Sequence, residues 1–125
     1  MREIRQILGD MDYEILSMKE AGVDIDIVED GETFEDNAII KAKAVMEATG
    51  CLTLADDSGL EIDYLNKEPG VLSARYMGEN TSYRIKNQIL LDRLHGVPAA
   101  VRGARFVSVI AAAFPGGHIE TRRAA

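Results

Sequence analysis

The stretch "GETFEDNAIIKAKAVMEATGCLTLADDSGLEIDYL", Gly31 to Leu65, decides the fold, because the hydrophobic period changes inside it. From Gly31 to Gly50, residues Ala38, Ile39, Ala42, Val45 and Met46 recur at three- and four-residue spacing and form one apolar stripe on a helix. Thr33 with Asp36 three residues on resembles a capping box with Asp in the place of Glu, and Gly50 stands where a left-handed C-terminal cap belongs. Beyond the cap, "CLTLA" reads as a strand, and Leu60, Ile62 and Tyr64 alternate with Glu61 and Asp63 at the period of a half-buried strand. Between these runs, Asp56, Asp57, Ser58 and Gly59 read as a break. Asp-Asp-Ser-Gly has plausible turn chemistry, yet the apolar run before it delivers two adjacent carboxylates from the core.

The flanks extend the pattern. "REIRQIL" places Ile4, Ile7 and Leu8 at helical spacing, "YEILSM" reads as a strand, and "GVDIDIV" alternates Val23, Ile25 and Ile27 with Asp24 and Asp26. "NKEPGVLSARYMGENTS" is expected to be a loop, and "YRIKNQILLDRL" resumes helical spacing with Gly96 beyond it. "ARFVSVIAAAF" reads as the final apolar strand, ended by the turn signal "PGG". The order predicts a single α/β (α+β) domain over 1–125, with a mixed twisted sheet and flanking helices.

Hydrophobic residues make up 46% of the chain and charged ones 28%, as in ordinary globular domains, so disorder and fibrous classes are excluded. The formal charge of -7 and pI near 4.8 argue against a nucleic-acid polymer or membrane-surface partner, whose footprint would be basic. An anionic ligand would need local compensation. The lone Cys51 excludes an intrachain disulfide and a Cys-rich zinc site, and its apolar neighbours predict a small buried hydrophobe in a reducing compartment. No apolar run approaches a membrane span, and "MREIRQIL" is too charged for a signal peptide, so a cytoplasmic location is expected.

Among motifs with chemistry, the phosphate loop, the dinucleotide fingerprint, the paired-His zinc motif and the calcium loop are missing. His95 and His118 are isolated beside glycines and read as surface histidines. The acidic residues carry more information. Glu29, Asp30, Glu32, Glu35 and Asp36 cluster before and in the first turn of the helix, where Glu35 and Asp36 suit an N-terminus without any function, whereas Asp56 and Asp57 at a strand end are either a turn or part of a hard-cation site. Lys41 shares a helix face with Asn37 and could offset phosphate charge; a solvated lysine is the other reading.

Three blocks, "GETFEDNAIIKAKAVMEATG", "LADDSGLEIDYLNKEPGVLSARYMGE" and "RGARFVSVIAAAFPGG", resemble consecutive segments of the inosine triphosphate pyrophosphatase family. The resemblance implies an elongated two-lobed α/β fold around a cleft, a homodimer, and Mg²⁺-dependent hydrolysis of deaminated purine triphosphates (ITP, dITP, XTP) to monophosphate and pyrophosphate. By position it implies Asp57 as general base and metal ligand with Asp56 beside it, Glu29 as the other metal-site carboxylate, and Lys41 as a phosphate-facing lysine. Ser58 becomes a substrate contact, and Arg75 in "SARY" a residue of the site or its supports. The chain departs from the family pattern at both ends. It lacks the first strand with its Ser/Thr-x-x-Asn-x-x-Lys turn, and the later Phe-Gly-Tyr-Asp and Ser-His-Arg segments that read the base. The expectation is therefore a partial domain with an open edge that pairs as a dimer or strand-exchanged oligomer. A second reading is an impaired remnant that binds metal or phosphate weakly, or acts only through assembly.

Overall fold

The computed structural model describes residues 2–8, 14–75 and 81–125. Helix α1 spans Arg2–Leu8, α2 Phe34–Thr49 and α3 Tyr83–Arg93, while strands β1 (Thr53–Ile62), β2 (Glu68–Pro69), β3 (Ala104–Ala113) and β4 (Ile119–Ala124) make one sheet of order β2-β1-β3-β4. The α/β class read from the sequence is the class observed. Every described ladder is antiparallel, so this sheet is antiparallel where a mixed one was expected. No described helix is long and apolar enough to cross a membrane.

Helix α2 forms where its caps place it. Thr33 Oγ1 accepts from the Asp36 N–H at 3.0 Å, a bond that stabilises such an end by about 1 kcal/mol, and Gly50 closes the other end at φ +71°. The predicted stripe faces the sheet: Ala38 and Ala42 are fully buried, Val45 and Met46 nearly so, and Ile39 packs at the margin. Ala38, Ala42, Met46 and Ile39 pack with Val107, Val109, Ala111 and Ala113 of β3, whose even-numbered neighbours face the other way. Small alanines on both surfaces let helix and sheet approach closely. At the end of β1 the opposite face is covered instead, where Ile62 and Leu65 pack with Leu90 and Leu94 from α3 and its C-terminus.

The expected break at Asp56–Gly59 is absent. β1 pairs with β3 without interruption from Thr53↔Ala113 to Ile62↔Ala104, and Asp56 and Asp57 stand opposite Ile110 and Val109 in mid-strand. Gly59 is there for space rather than for a turn. A Cβ at this position would lie 2.6 Å from Gly70 O, 2.5 Å from Ser73 Oγ and 2.9 Å from Phe34 Cε1. Ser73 Oγ accepts from the Leu60 N–H at 2.9 Å and donates to Gly70 O at 2.6 Å, so the 3-10 segment Gly70–Arg75 is docked against the strand. Part of the expected loop is thus ordered as β2 and this segment.

Three further expectations are corrected. Residues 14–17 and 23–28 are not strands, because alternation supplies faces but a strand also needs a hydrogen-bonding neighbour, and no described residue pairs with them. Tyr13 lies outside the described residues. β4 was not expected, since "IETRRA" has no apolar alternation; it is a mostly exposed edge strand whose charges discourage further pairing. Cys51 is exposed rather than buried, because it lies on the connection between the Gly50 cap and β1.

Ion pairs fix the start of α2 to the sheet. Arg123 of β4 reaches Glu35 at 2.9 Å and Glu61 at 3.6 Å, and Arg105 of β3 reaches Glu61 at 3.0 Å and Asp63 at 2.9 Å. The Arg123 hydrogen bond leads the interactions that hold the Glu35 carboxyl below its usual range.

Replacing Gly59 by Ala should lower unfolding stability by about 1–3 kcal/mol, the usual cost of overpacking. Gly116→Ala, where a Cβ meets nothing within 4 Å, is the matched control. Urea midpoints would show the difference; equal midpoints for the two variants would mean that the Ser73 segment moves aside freely.

Candidate functional site

β1 alternates, so its two aspartates face opposite ways. Asp57 points to the α2 side with Ala55, Gly59 and Glu61, whereas Asp56 shares the other face with Leu54 and Ser58. On the α2 side, Lys41 Nζ lies 3.0 Å from Glu29 Oε1 and 3.5 Å from Asp57 Oδ1. Glu29, Lys41 and Asp57, from a segment without regular structure, a helix and a strand, are thus brought together as the sequence led one to expect.

Ser58 and Asp56 are not part of this group. Ser58 Oγ lies 3.4 Å from Asp56 Oδ2 and 3.2 Å from Ser108 Oγ, forming a small polar cluster on the far face. Arg75 ends the 3-10 segment, and its side chain lies outside the described residues. The open depression of about 330 Å³ lined by Asp63, Tyr64, Ala100, Val101 and Gly103 contains none of the expected site residues.

Asn37, singled out in the sequence only for its spacing to Lys41, belongs to the site. It is 1% exposed, and its Oδ1 accepts from the Gly31 N–H at 2.8 Å, so its amide NH₂ is the end left for Asp57. The helical i, i+4 relation was the signal that could have found it.

The charge balance at Asp57 is uneven. Its side chain is 16% exposed, and Oδ2 is buried with no hydrogen-bond partner among the described residues. Asn37 favours the ionised form, yet that oxygen stays without a partner among the described residues. Burial raises the carboxyl above its ordinary pKa, outweighing the opposing pull of Lys41 and Asn37, and Glu29 adds to the rise. A buried carboxylate oxygen without a donor, beside a second carboxylate, favours an added cation. No group of three or more His, Cys, Asp or Glu side chains is assembled for a metal among the described residues. Two carboxylates do not make an all-protein cage, but they fit Mg²⁺, which commonly takes one or two and completes its shell with water and substrate phosphates.

The sequence pattern of the Ham1 family matches residues 1–124. The chain belongs to the Ham1 family. It is 45% identical over 118 residues to a dITP/XTP pyrophosphatase of Clostridium perfringens, an alignment covering 90% of this chain and 58% of that protein. A protein of the same name from Desulforamulus reducens is 48% identical over 121 residues, covering 97% of this chain and 60% of the relative. Among solved structures, the Staphylococcus aureus Ham1 protein matches at TM-score 0.87 and 38% identity, covering 98% of this chain and 62% of that one. The Mycobacterium abscessus nucleoside-triphosphatase, described as a dITP/XTP pyrophosphatase, matches at TM-score 0.88 and 37% identity, covering 98% and 64%. The chain spans about three fifths of the length of these relatives. Its Ham1 membership bears out the family resemblance carried by the three sequence blocks.

The raised pKa of Asp57 has a definite consequence for stability. A carboxyl that binds its proton more tightly when folded favours the folded state fully below the unfolded value, about 3.9 for Asp. That contribution is lost as pH rises through the folded pKa. Asp57→Asn removes the buried charge, so in EDTA the variant should gain stability over the parent as pH rises from about 4 to 7, by up to about 1 kcal/mol. Thermal melts across that range would measure it; a variant less stable than the parent at pH 7 would mean that the pull of Lys41 outweighs burial.

Proposed function

We propose that this Ham1-family chain takes part in hydrolysing nucleoside triphosphates, specifically deaminated purine triphosphates such as ITP, dITP and XTP, to the monophosphate and pyrophosphate. One observation carries the reading: Lys41 spans the carboxylates of Glu29 and Asp57 while Asp57 Oδ2 is buried and unmatched. The names of the Clostridium and Desulforamulus relatives support the substrate class.

In this reading Glu29 and Asp57 are the residues that would hold Mg²⁺. When bound, the ion supplies Lewis-acid polarisation and neutralises phosphate charge. Lys41 offsets further negative charge, resolving the conflict between an anionic substrate and a protein of charge -7. Asp57 accepts a proton from the attacking water. The water oxygen bonds to the α-phosphorus, the α–β bridging P–O bond breaks, and pyrophosphate leaves with the electron pair. Positioning and charge stabilisation supply most of the acceleration in chemistry of this kind. Asp56 and Ser58, on the opposite face, are assigned no step.

The proposed assembly is a homodimer or strand-exchanged oligomer. Its support is the face bearing Phe106 at 64% exposure, Ile110 at 43% and Leu54 at 40%, apolar surface that a second chain could cover. The proposed compartment is the cytoplasm, where the exposed thiol of Cys51 would stay reduced.

Pyrophosphate release from ITP, dITP and XTP with Mg²⁺, compared between the parent and Asp57→Asn, tests the reaction; the variant should lose at least about 100-fold, the lower range for a general base. Equal rates would remove Asp57 from the chemistry, and no release from either would leave the second reading, a metal- or phosphate-binding remnant. Gel filtration at micromolar concentration should give a mass above that of the 13.7 kDa chain. A clean monomer would count against the assembly.

A further inference from the structure

We infer that Asn37 is a positioning residue that locks the segment carrying Glu29 to the start of α2, the helix carrying Lys41, so that Lys41 meets the carboxylates of Glu29 and Asp57 at once. Three observations place it in that role. First, Asn37 is buried at 1% exposure in the first turn of α2, where an uncommitted amide would be costly, and its Oδ1 holds the Gly31 N–H at 2.8 Å. Second, Gly31 is shaped to that contact. A Cβ on Gly31 would lie 2.7 Å from Asn37 Oδ1 and 2.6 Å from Asp36 Cβ, so any larger residue forces the segment away from the helix. Third, Gly31 stands two residues after Glu29 and Asn37 one helical turn before Lys41. The same amide therefore sits at the base of both arms of the Glu29–Lys41 contact.

The geometry divides the labour. Lys41 Nζ closes the group electrostatically, at 3.0 Å from Glu29 and 3.5 Å from Asp57, but a lysine stem has four flexible carbons and cannot by itself fix where the two carboxylates stand. The buried amide can, because its stem is short and packed and its Oδ1 holds a backbone N–H. Asn37 touches no reacting atom in this scheme. Its effect passes through Glu29, Lys41 and Asp57.

The inference rests on the proposed function only in its metal arm, and the test is built to keep the two apart. The probe for the lysine is its acylation rate with an amine-specific acetylating reagent, read by peptide mass spectrometry in Asn37→Leu and Gly31→Ala. The first deletes the amide at similar volume, and the second displaces the segment with the amide intact. In each folded variant the rate at Lys41 should rise at least threefold, while the rate at exposed Lys43, on the same helix, stays unchanged. Mn²⁺ titration followed by electron paramagnetic resonance should show at least tenfold weaker binding in both. An unchanged Lys41 rate in the folded variants would overturn the inference, as would an equal rise at Lys43, which reports general loosening. If Asn37→Leu does not fold, Gly31→Ala decides by the same two rates. Absence of Mn²⁺ binding in the parent would sink the metal reading, and the Lys41 rates would still judge Asn37.

Discussion

Everything in the site depends on how closely α2 can lie on the β1–β3 ladder. Ala38 and Ala42 on the helix face Val107, Val109 and Ala111 on the strand, and all five are fully buried. Larger residues on the helix would lift its axis, because interiors are packed without slack. At the same level Phe34 presses toward Gly59, where no β-carbon could be accommodated. Close approach is what lets a lysine on the helix contact an aspartate in mid-strand. The salt bridge follows from packing and does not create it.

That arrangement costs stability. A partly buried ion pair recovers little net free energy, since desolvation offsets much of the attraction. Here the offset is incomplete, as the unsatisfied Oδ2 of Asp57 shows. By contrast, the network of Glu35, Arg123, Glu61, Arg105 and Asp63 is mutually satisfied and ties α2, β4, β1 and β3 together. One carboxylate oxygen, Oδ2 of Asp57, lacks a donor among the described residues while Arg105 and Arg123 serve Glu35, Glu61 and Asp63, and functional sites are where such frustration tends to persist.

Much of this was legible in the residues. The α2 stripe, its Thr33 and Gly50 caps and the apolar β3 run announce themselves through period and end chemistry, and α2 and β3 carry most of the core. Glu29, Lys41 and Asp57 were expected together from family resemblance, and they meet. The misreadings have common physical roots. Asp-Asp-Ser-Gly looks like a turn because local chemistry cannot reveal the ten-pair ladder that keeps it extended. β4 escaped notice because an edge strand with charged residues has no hydrophobic period to read, and 14–17 and 23–28 were overread because period alone says nothing of a neighbour. Asp56 and Ser58 were grouped with Asp57 from the family resemblance, and strand geometry sets them on the opposite face.

The constriction at Gly59 also bears on how the chain finds its register. A sheet slipped by one residue would turn Asp56 toward Lys41 in place of Asp57, and the attraction between lysine and carboxylate could not tell the two apart. Sterics can. The slip would bring Ser58 or Leu60 to the place where Phe34, Gly70 and Ser73 leave no room for even one extra carbon. A doubled aspartate is ambiguous to charge, and the glycine two residues on removes the ambiguity during folding.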